Sequence, residues 1–208
     1  MTSIEAHNSS LREHLQENLQ QFQRREIAIG DRHAAAVCLT VSHEDGDPVV
    51  AVTRRCALRA HSRQWALPGG RLDPGETSVT AAVRELREEV NLEVPATDVL
   101  GLLDDFATRS GYVITPVVAW TDQDWRELTP NPDEVEFIRP FAFSELSRDD
   151  SPVLEEIDQS DKPVLSMHFH DDRIFAPTGA MLYQFREVVI QGRATRVAHF
   201  EQPLFAWR

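Results

Sequence analysis

The apolar positions of the chain change period along its length. From Ser9 to Phe22, Leu11, Leu15, Leu19 and Phe22 recur at i, i+4, i+8 and i+11, which predicts an amphipathic helix. Its other face is polar rather than basic, so it reads as a helix packed on a domain's flank and not as a membrane-surface helix. The period then shortens. Ala34 to Ser42 is a small and β-branched run, Val49 to Thr53 is a second, and Glu44-Asp45-Gly46-Asp47-Pro48 turns between them as in a hairpin. Helical spacing returns at Val79, Ala82, Val83, Leu86 and Val90, which at about 100° per residue share an arc of roughly 100°. Val99 to Phe106 and Tyr112 to Trp120 bracket Thr108-Arg109-Ser110-Gly111 as another hairpin, with Pro116 expected at an edge or bulge. Thr121 to Asp133 is polar and proline-interrupted and reads as a loop, and the alternation in Glu134 to Phe143 predicts a strand. Asp149 to Pro163 reads as an acidic loop, a lid or a partner surface, and Val164 to Phe175 as a short hairpin. Met181, Leu182, Phe185, Val188 and Val189 predict a helix over Thr178 to Val189, with Gly192 beyond its end. Thr195 to Arg208 ends in an apolar tail without assignment. Residues 1–30 are thus expected as a helical segment packed on a domain formed by 31–208.

The helix after Gly70 carries chemistry on its second face. Thr77 or Ser78 can cap its start, because a hydroxyl there accepts a free N–H of the first turn. Glu85, Glu88 and Glu89 fall in an arc turned about 120° from the apolar stripe. Glu85 and Glu89 stand at i,i+4, where like charges repel by roughly 0.2–0.5 kcal/mol. Arg84 and Arg87 flank the cluster but point elsewhere on the helical wheel. Two readings follow: a solvated acidic face, or oxygen ligands for a hard divalent cation such as Mg²⁺, which keeps waters for a phosphate substrate to displace.

Charge narrows the partners. The 208-residue chain carries a net charge of −13, which disfavours attraction to a nucleic-acid backbone. Against this background Arg54 to Gln64 stands out: it holds Arg54, Arg55, Arg59, His61 and Arg63 and no acid. Beside a metal-binding helix it would grip anionic groups, since Arg matches phosphate oxygens bidentately; alone it is also a solvated basic loop.

Gly70, Glu76, Arg84, Glu85, Leu86, Glu88, Glu89 and Leu92 stand in the register of the Nudix box, with Asn91 where that pattern has Gly. Asn tolerates the left-handed conformation that closes a helix. The chain therefore resembles the Nudix hydrolases. The resemblance implies an α/β fold, a Nudix-type α/β/α sandwich with a mixed β-sheet, and metal-dependent cleavage of a pyrophosphate bond. It implies Glu85, Glu88 and Glu89 as ligands of Mg²⁺ or Mn²⁺, the Gly69 carbonyl completing the site, and one of these glutamates or Glu134 as general base. Val-Thr-Arg-Arg followed by Leu58-Arg59, His61, Gln64 and Pro-Gly-Gly is similar to the further signature of coenzyme A diphosphatases. Arg63 and Leu67 depart from it, and the spacing before Leu58 is one residue short. Arg54, Arg59, His61 and Gln64 are then expected to contact substrate. CoA or a derivative is the preferred substrate, with ADP-ribose, a nucleotide sugar or a dinucleotide next. A catalytically inactive Nudix-fold metabolite-binding or regulatory protein is the reading of another class.

The remaining features are quieter. Cys38 and Cys56 are the only cysteines, too few for a disulfide framework, so free thiols in a reducing cytoplasm are expected. No apolar run is long enough to span a bilayer and the N-terminus lacks a signal-peptide layout, so no membrane association is expected. A homodimer is compatible with all of this. His168, His170, Asp171 and Asp172 could gather a metal but read better as hairpin residues, and Trp65, Trp120 and Trp125 are core candidates that could also stack a base.

Overall fold

A computed structural model describes residues 3–56 and 64–207. Helix α1 spans Ser3–Gln21, beginning before the stretch that its apolar stripe marks out. Strands β1 (His33–Glu44) and β2 (Asp47–Arg55) form the expected hairpin around Asp45 and Gly46, both at positive φ. Then come β3 (Trp65–Ala66), β4 (Gly69–Arg71) and helix α2 (Ser78–Val90). They are followed by β5 (Val99–Leu102), β6 (Phe106–Ala107), β7 (Tyr112–Asp124) and β8 (Val135–Ala142). A one-turn helix α3 (Phe143–Leu146) leads to β9 (Val153–Ile157), β10 (Ser160–Phe169) and β11 (Asp172–Phe175). Helix α4 (Thr178–Gln184) continues as a π-helical turn over Phe185–Ile190.

Strands β1 to β8 make one sheet with the path β3-β2-β1-β7-β5; β4 also pairs with β1, β6 with β7 and β8 with β2. Its β1–β7 pair is parallel and its other pairs are antiparallel, so the sheet is mixed, as expected. Strand alternation divides the core in two. Ala36, Cys38, Ala51 and Ala119 turn to α2, where Ala81 and Ala82 let the helix lie close. Leu39, Val41, Val50 and Val52 turn to the other layer, which holds α1, α4 and a second sheet of β11-β10-β9. Pro116 fits because the outer partner of β7 breaks opposite it, between β5 and β6, and its carbonyl still accepts from Leu103 N–H at 3.0 Å. Burial pushes the Cys38 thiol up to about 11, so it stays protonated at neutral pH.

Two loop expectations are corrected. Polar Thr121 to Asp124 extends β7, with Asp124 opposite His43 and Ser42 Oγ donating to Gln123 O at 2.6 Å; Asp124 then caps a 3₁₀ turn at Trp125–Glu127. The acidic stretch from Asp149 contains β9, an edge strand whose outward glutamates hide its alternation and blunt the edge. His168 faces Arg173 across β10–β11, and His170 sits in the turn with its N–H donating to Glu145, so they read as hairpin residues.

The tail also acquires a place. Val197 and Phe200 enter the core, Glu201 N–H donates to Pro163 O at 2.8 Å, and Leu204–Trp207 forms a 3₁₀ turn. The Glu201 carboxylate accepts from Arg109, Ser160 Oγ and Gln202 N–H. These donors, Arg109 first, hold its pKa at about 2, below the ordinary 4.5. A depressed carboxylate stabilises the fold in full above its unfolded pKa, and the contribution is lost as pH falls through the folded value. Glu201→Gln is therefore expected to cost about 1–3 kcal/mol at pH 7, Arg109 being partly screened by water. In denaturant titrations the gap from wild type should narrow between pH 4.5 and 2.

Candidate active site

The turn before α2 is built by its residue types. Pro74 and Gly75 take the middle of a turn in which Gly75 has φ +88° and Glu76 N–H donates to Asp73 O at 3.0 Å. Thr77 caps α2 by accepting from Thr80 N–H, while the Thr80 hydroxyl accepts from Thr77 N–H. Asn91 closes the helix at φ 54°, the left-handed geometry anticipated for it. Gly69 is required by close approach: a Cβ there would run into the β1 backbone at Ala36 O and Val37 Cα, whereas one at Gly70 would meet only the movable end of the Glu85 side chain.

Arg84 corrects the helical wheel. Its side chain folds over the acidic face, pairing through Nε with Glu76 at 2.9 Å and through Nη1 with Glu85 at 2.8 Å and Glu88 at 3.0 Å. A wheel fixes the direction of Cβ, not the reach of a long side chain, and Glu88 lies at i+4. The Arg84 guanidinium holds the Glu76 carboxyl below its ordinary range. Burial raises Glu85 despite the same arginine.

Glu89 is the costliest of the set. It is 4% exposed. Burial pushes its pKa up to about 7; nearby Arg55 and the Gly69 N–H oppose the rise, while Glu85 and Glu134 add to it. The Pro130 to Glu134 loop is tied to the end of α2, Asn131 N–H donating to Glu89 O at 2.8 Å and Thr129 N–H to Val90 O at 3.0 Å. That tie carries Glu134 to the cluster. Gly69 stands between Pro68, whose carbonyl accepts from Cys38 N–H, and Gly70, which pairs with Ala36. Antiparallel alternation therefore turns the Gly69 N–H and carbonyl away from β1 and toward Glu89.

These groups border one cleft of about 940 Å³, lined by Glu85, Glu88, Glu89, Glu134, Gly69 and Gln64 among others. Arg54 is not on its wall; Arg55 is. Arg54 shares the face of Val50 and Val52 and lies over the rings of Trp65 and Phe137, at 5.7 and 5.3 Å. Arg55 shares the face of Ala51, toward α2, and its Nε is buried without a hydrogen bond. The missed signal is this alternation, together with the signature itself, whose Leu-Thr-x-Arg falls on Val52 to Arg55. Arg59 and His61 lie outside the described residues. The stems of that segment are held by Arg55 N–H to Gln64 O at 3.1 Å and Cys56 N–H to Glu134 O at 3.0 Å. Trp65 borders the cleft and donates from Nε1 to Asp172 at 2.9 Å, whereas Trp120 is buried and Trp125 bonds Glu44.

The donors are all oxygen, the chemistry of Mg²⁺ and Mn²⁺ sites. Among the described residues no three His, Cys, Asp or Glu side chains converge on a common point. Arg84 engages Glu85 and Glu88, so the acidic set is gathered on one wall and partly neutralised by an internal cation. Among the described residues no helix is long and apolar enough to cross a membrane.

Comparison with known proteins identifies the family. A family model described as NUDIX domain matches residues 31–166. The Nudix hydrolase NudL of Photorhabdus laumondii is 37% identical over 121 residues, covering 57% of this chain and 63% of that protein. Nudix hydrolase 3 of Caenorhabditis elegans is 32% identical over 117 residues, 54% of this chain and 49% of that protein. The chain thus spans less than two thirds of the length of either. NudL of Pectobacterium atrosepticum is 32% identical over 158 residues, covering 74% of this chain and 80% of that protein. A MutT/nudix family protein from Enterococcus faecalis superposes with a TM-score of 0.54 at 16% identity, over 91% of this chain and 75% of that one, which supports the fold. With the family model matched across the sheet and α2, and the glutamates gathered beneath Gly69 and Gly70, the chain belongs to the Nudix family.

Proposed function

We propose that the chain hydrolyses a pyrophosphate bond in a nucleoside-diphosphate-linked compound, with CoA or a CoA derivative as the preferred substrate. The observation that carries this reading is the shared cleft, which sets Glu85, Glu88, Glu89 and Glu134 beside the cationic Arg55. Glu85, Glu88, Glu89 and the Gly69 carbonyl fit a divalent cation by donor type. When bound, Mg²⁺ or Mn²⁺ supplies charge neutralisation at the phosphate oxygens and a lowered water pKa.

The chain's own groups divide the remaining work. Arg55 presents a guanidinium to the phosphate oxygens, and Gln64, next to it through the Arg55 N–H bond, can hydrogen-bond the same region. Glu134, brought against Glu89 by the Asn131 tie, and Glu89 itself are our candidates for the group that takes the proton of an attacking water. Arg84 orients Glu85 and Glu88 through its ion pairs with both. Support for CoA comes from the partial signature that starts at Val52 and runs through Arg55 and Gln64 to Pro68-Gly69-Gly70, and from a cleft large enough for an extended substrate.

Product analysis tests the reading. Purified protein is incubated with Mg²⁺ or Mn²⁺ and with CoA, ADP-ribose, NADH, a diadenosine polyphosphate and a nucleoside triphosphate. Release of adenosine 3′,5′-bisphosphate and 4′-phosphopantetheine from CoA ahead of the others is the expected result. Preference for another member removes the CoA assignment and keeps the chemistry. No cleavage with either metal would sink the hydrolase reading in favour of a binding module.

A further inference from the structure

The cleft does not end at the glutamates. It runs from the α2 face past Trp65 into the second layer, where its wall is made by Phe175 at the end of β11 and Phe205 in the C-terminal 3₁₀ turn. The two rings meet edge to face, 5.7 Å apart at 87°. Phe205 is 53% exposed. The turn that presents it is pinned. Trp207 Nε1 donates to Gln202 O at 2.9 Å, the Gln202 side chain accepts from Arg109 N–H at 2.7 Å, and the Arg109 guanidinium lies 4.5 Å over Trp207. Arg173 stands 5.1 Å over Phe175 and is itself held by Glu155 and Ser166. Both phenylalanines lie beyond the residues matched by the family model, which end at 166.

We infer that Phe175 and Phe205 form a subsite for a flat aromatic group of the substrate, a nucleobase by class. Perpendicular rings offer a corner in which a planar ligand stacks on one face and meets the edge of the other. The inference rests on the proposed function for its substrate, but the corner is separate from the glutamates and can be read without turnover. The fixed turn presents Phe205 already ordered, so binding loses little conformational freedom. Stacking of a base on an aromatic side chain is sequence-tolerant and substantial, which suits a site that selects for the presence of a base.

The test uses two probes with no pyrophosphate bond to cleave, AMP and ribose 5-phosphate, titrated calorimetrically into the full chain. They share a phosphate and a sugar and differ by the base. Wild type is expected to bind AMP about tenfold more tightly. Phe205→Ala should erase that preference with unchanged thermal unfolding, Phe205→Tyr should keep it, and Phe205→Leu should lose it. Equal binding of the two probes by wild type, or a preference that survives Phe205→Ala, overturns the subsite; a preference retained by Phe205→Leu overturns its aromatic character. An AMP preference in a protein that cleaves nothing would leave the subsite standing while the hydrolase reading falls.

Discussion

Replacing Glu89 by Gln is expected to lower kcat/KM by about 10²- to 10³-fold while leaving the protein at least as stable as wild type. The two halves of this result have one origin. Glu89 is nearly buried, and it stands among Glu85 and Glu134 with Arg55 as the opposing charge. Folding must desolvate that carboxylate, and packing alone does not require it, because the residues around the end of α2 are satisfied by backbone bonds from Thr129 and Asn131. Gln keeps the shape and removes the charge, so the fold is relieved while a proposed metal ligand and proton acceptor is lost. A steady-state assay paired with denaturant unfolding in metal-free buffer checks both halves. A variant that loses activity only because it unfolds would remove Glu89 from the proposed machinery. A variant of full activity would take Glu89 out of the proposed ligand and proton-acceptor set.

The parts of this site that could be read in the sequence are those set by local geometry. The buried face of α2 keeps Ala82, Leu86 and Val90 of the apolar stripe but turns toward the acidic side to take in Ala81 and Glu89. The Thr77 cap and Asn91 stop of α2 depend on neighbours a few residues away, and each appears where the spacing puts it. The same holds for the β1–β2 hairpin, whose two turn residues both need positive φ. What was not legible depends on partners far along the chain. Strand β9 is acidic because both of its faces meet solvent at Leu154, Glu155 and Glu156, and only pairing with β10 makes it a strand. The tail from Thr195 has no period of its own; it is fixed by Pro163, Arg109 and Ser160. Arg84 shows the intermediate case. Its Cβ direction follows from the wheel, but its partners depend on a side chain that bends back to Glu76 in the preceding turn.

Arg55→Ala is expected to lower kcat/KM by about 10²-fold, and Arg54→Ala by about threefold or less. Adjacent arginines in a strand point to opposite faces, so a basic segment cannot bring both to one ligand. The sheet assigns Arg55 to the α2 side, beside Glu89, and Arg54 to the side of Trp65 and Phe137. Arg54 lies 3.8 Å from Glu136 as well, so its guanidinium packs against two adjoining rings and a carboxylate. Losing it should cost about 1 kcal/mol of stability through the cation–π contacts. Losing Arg55 removes the cation that faces the acidic wall. Steady-state kinetics and thermal unfolding on the two variants separate the roles. Arg55→Lys should recover part of the activity, as a point charge replaces a bidentate donor. If Arg54→Ala proved the more damaging to turnover at unchanged stability, Arg55 would lose its place as the phosphate-gripping cation, and the substrate would have to meet Arg54 along the Trp65 side of the cleft.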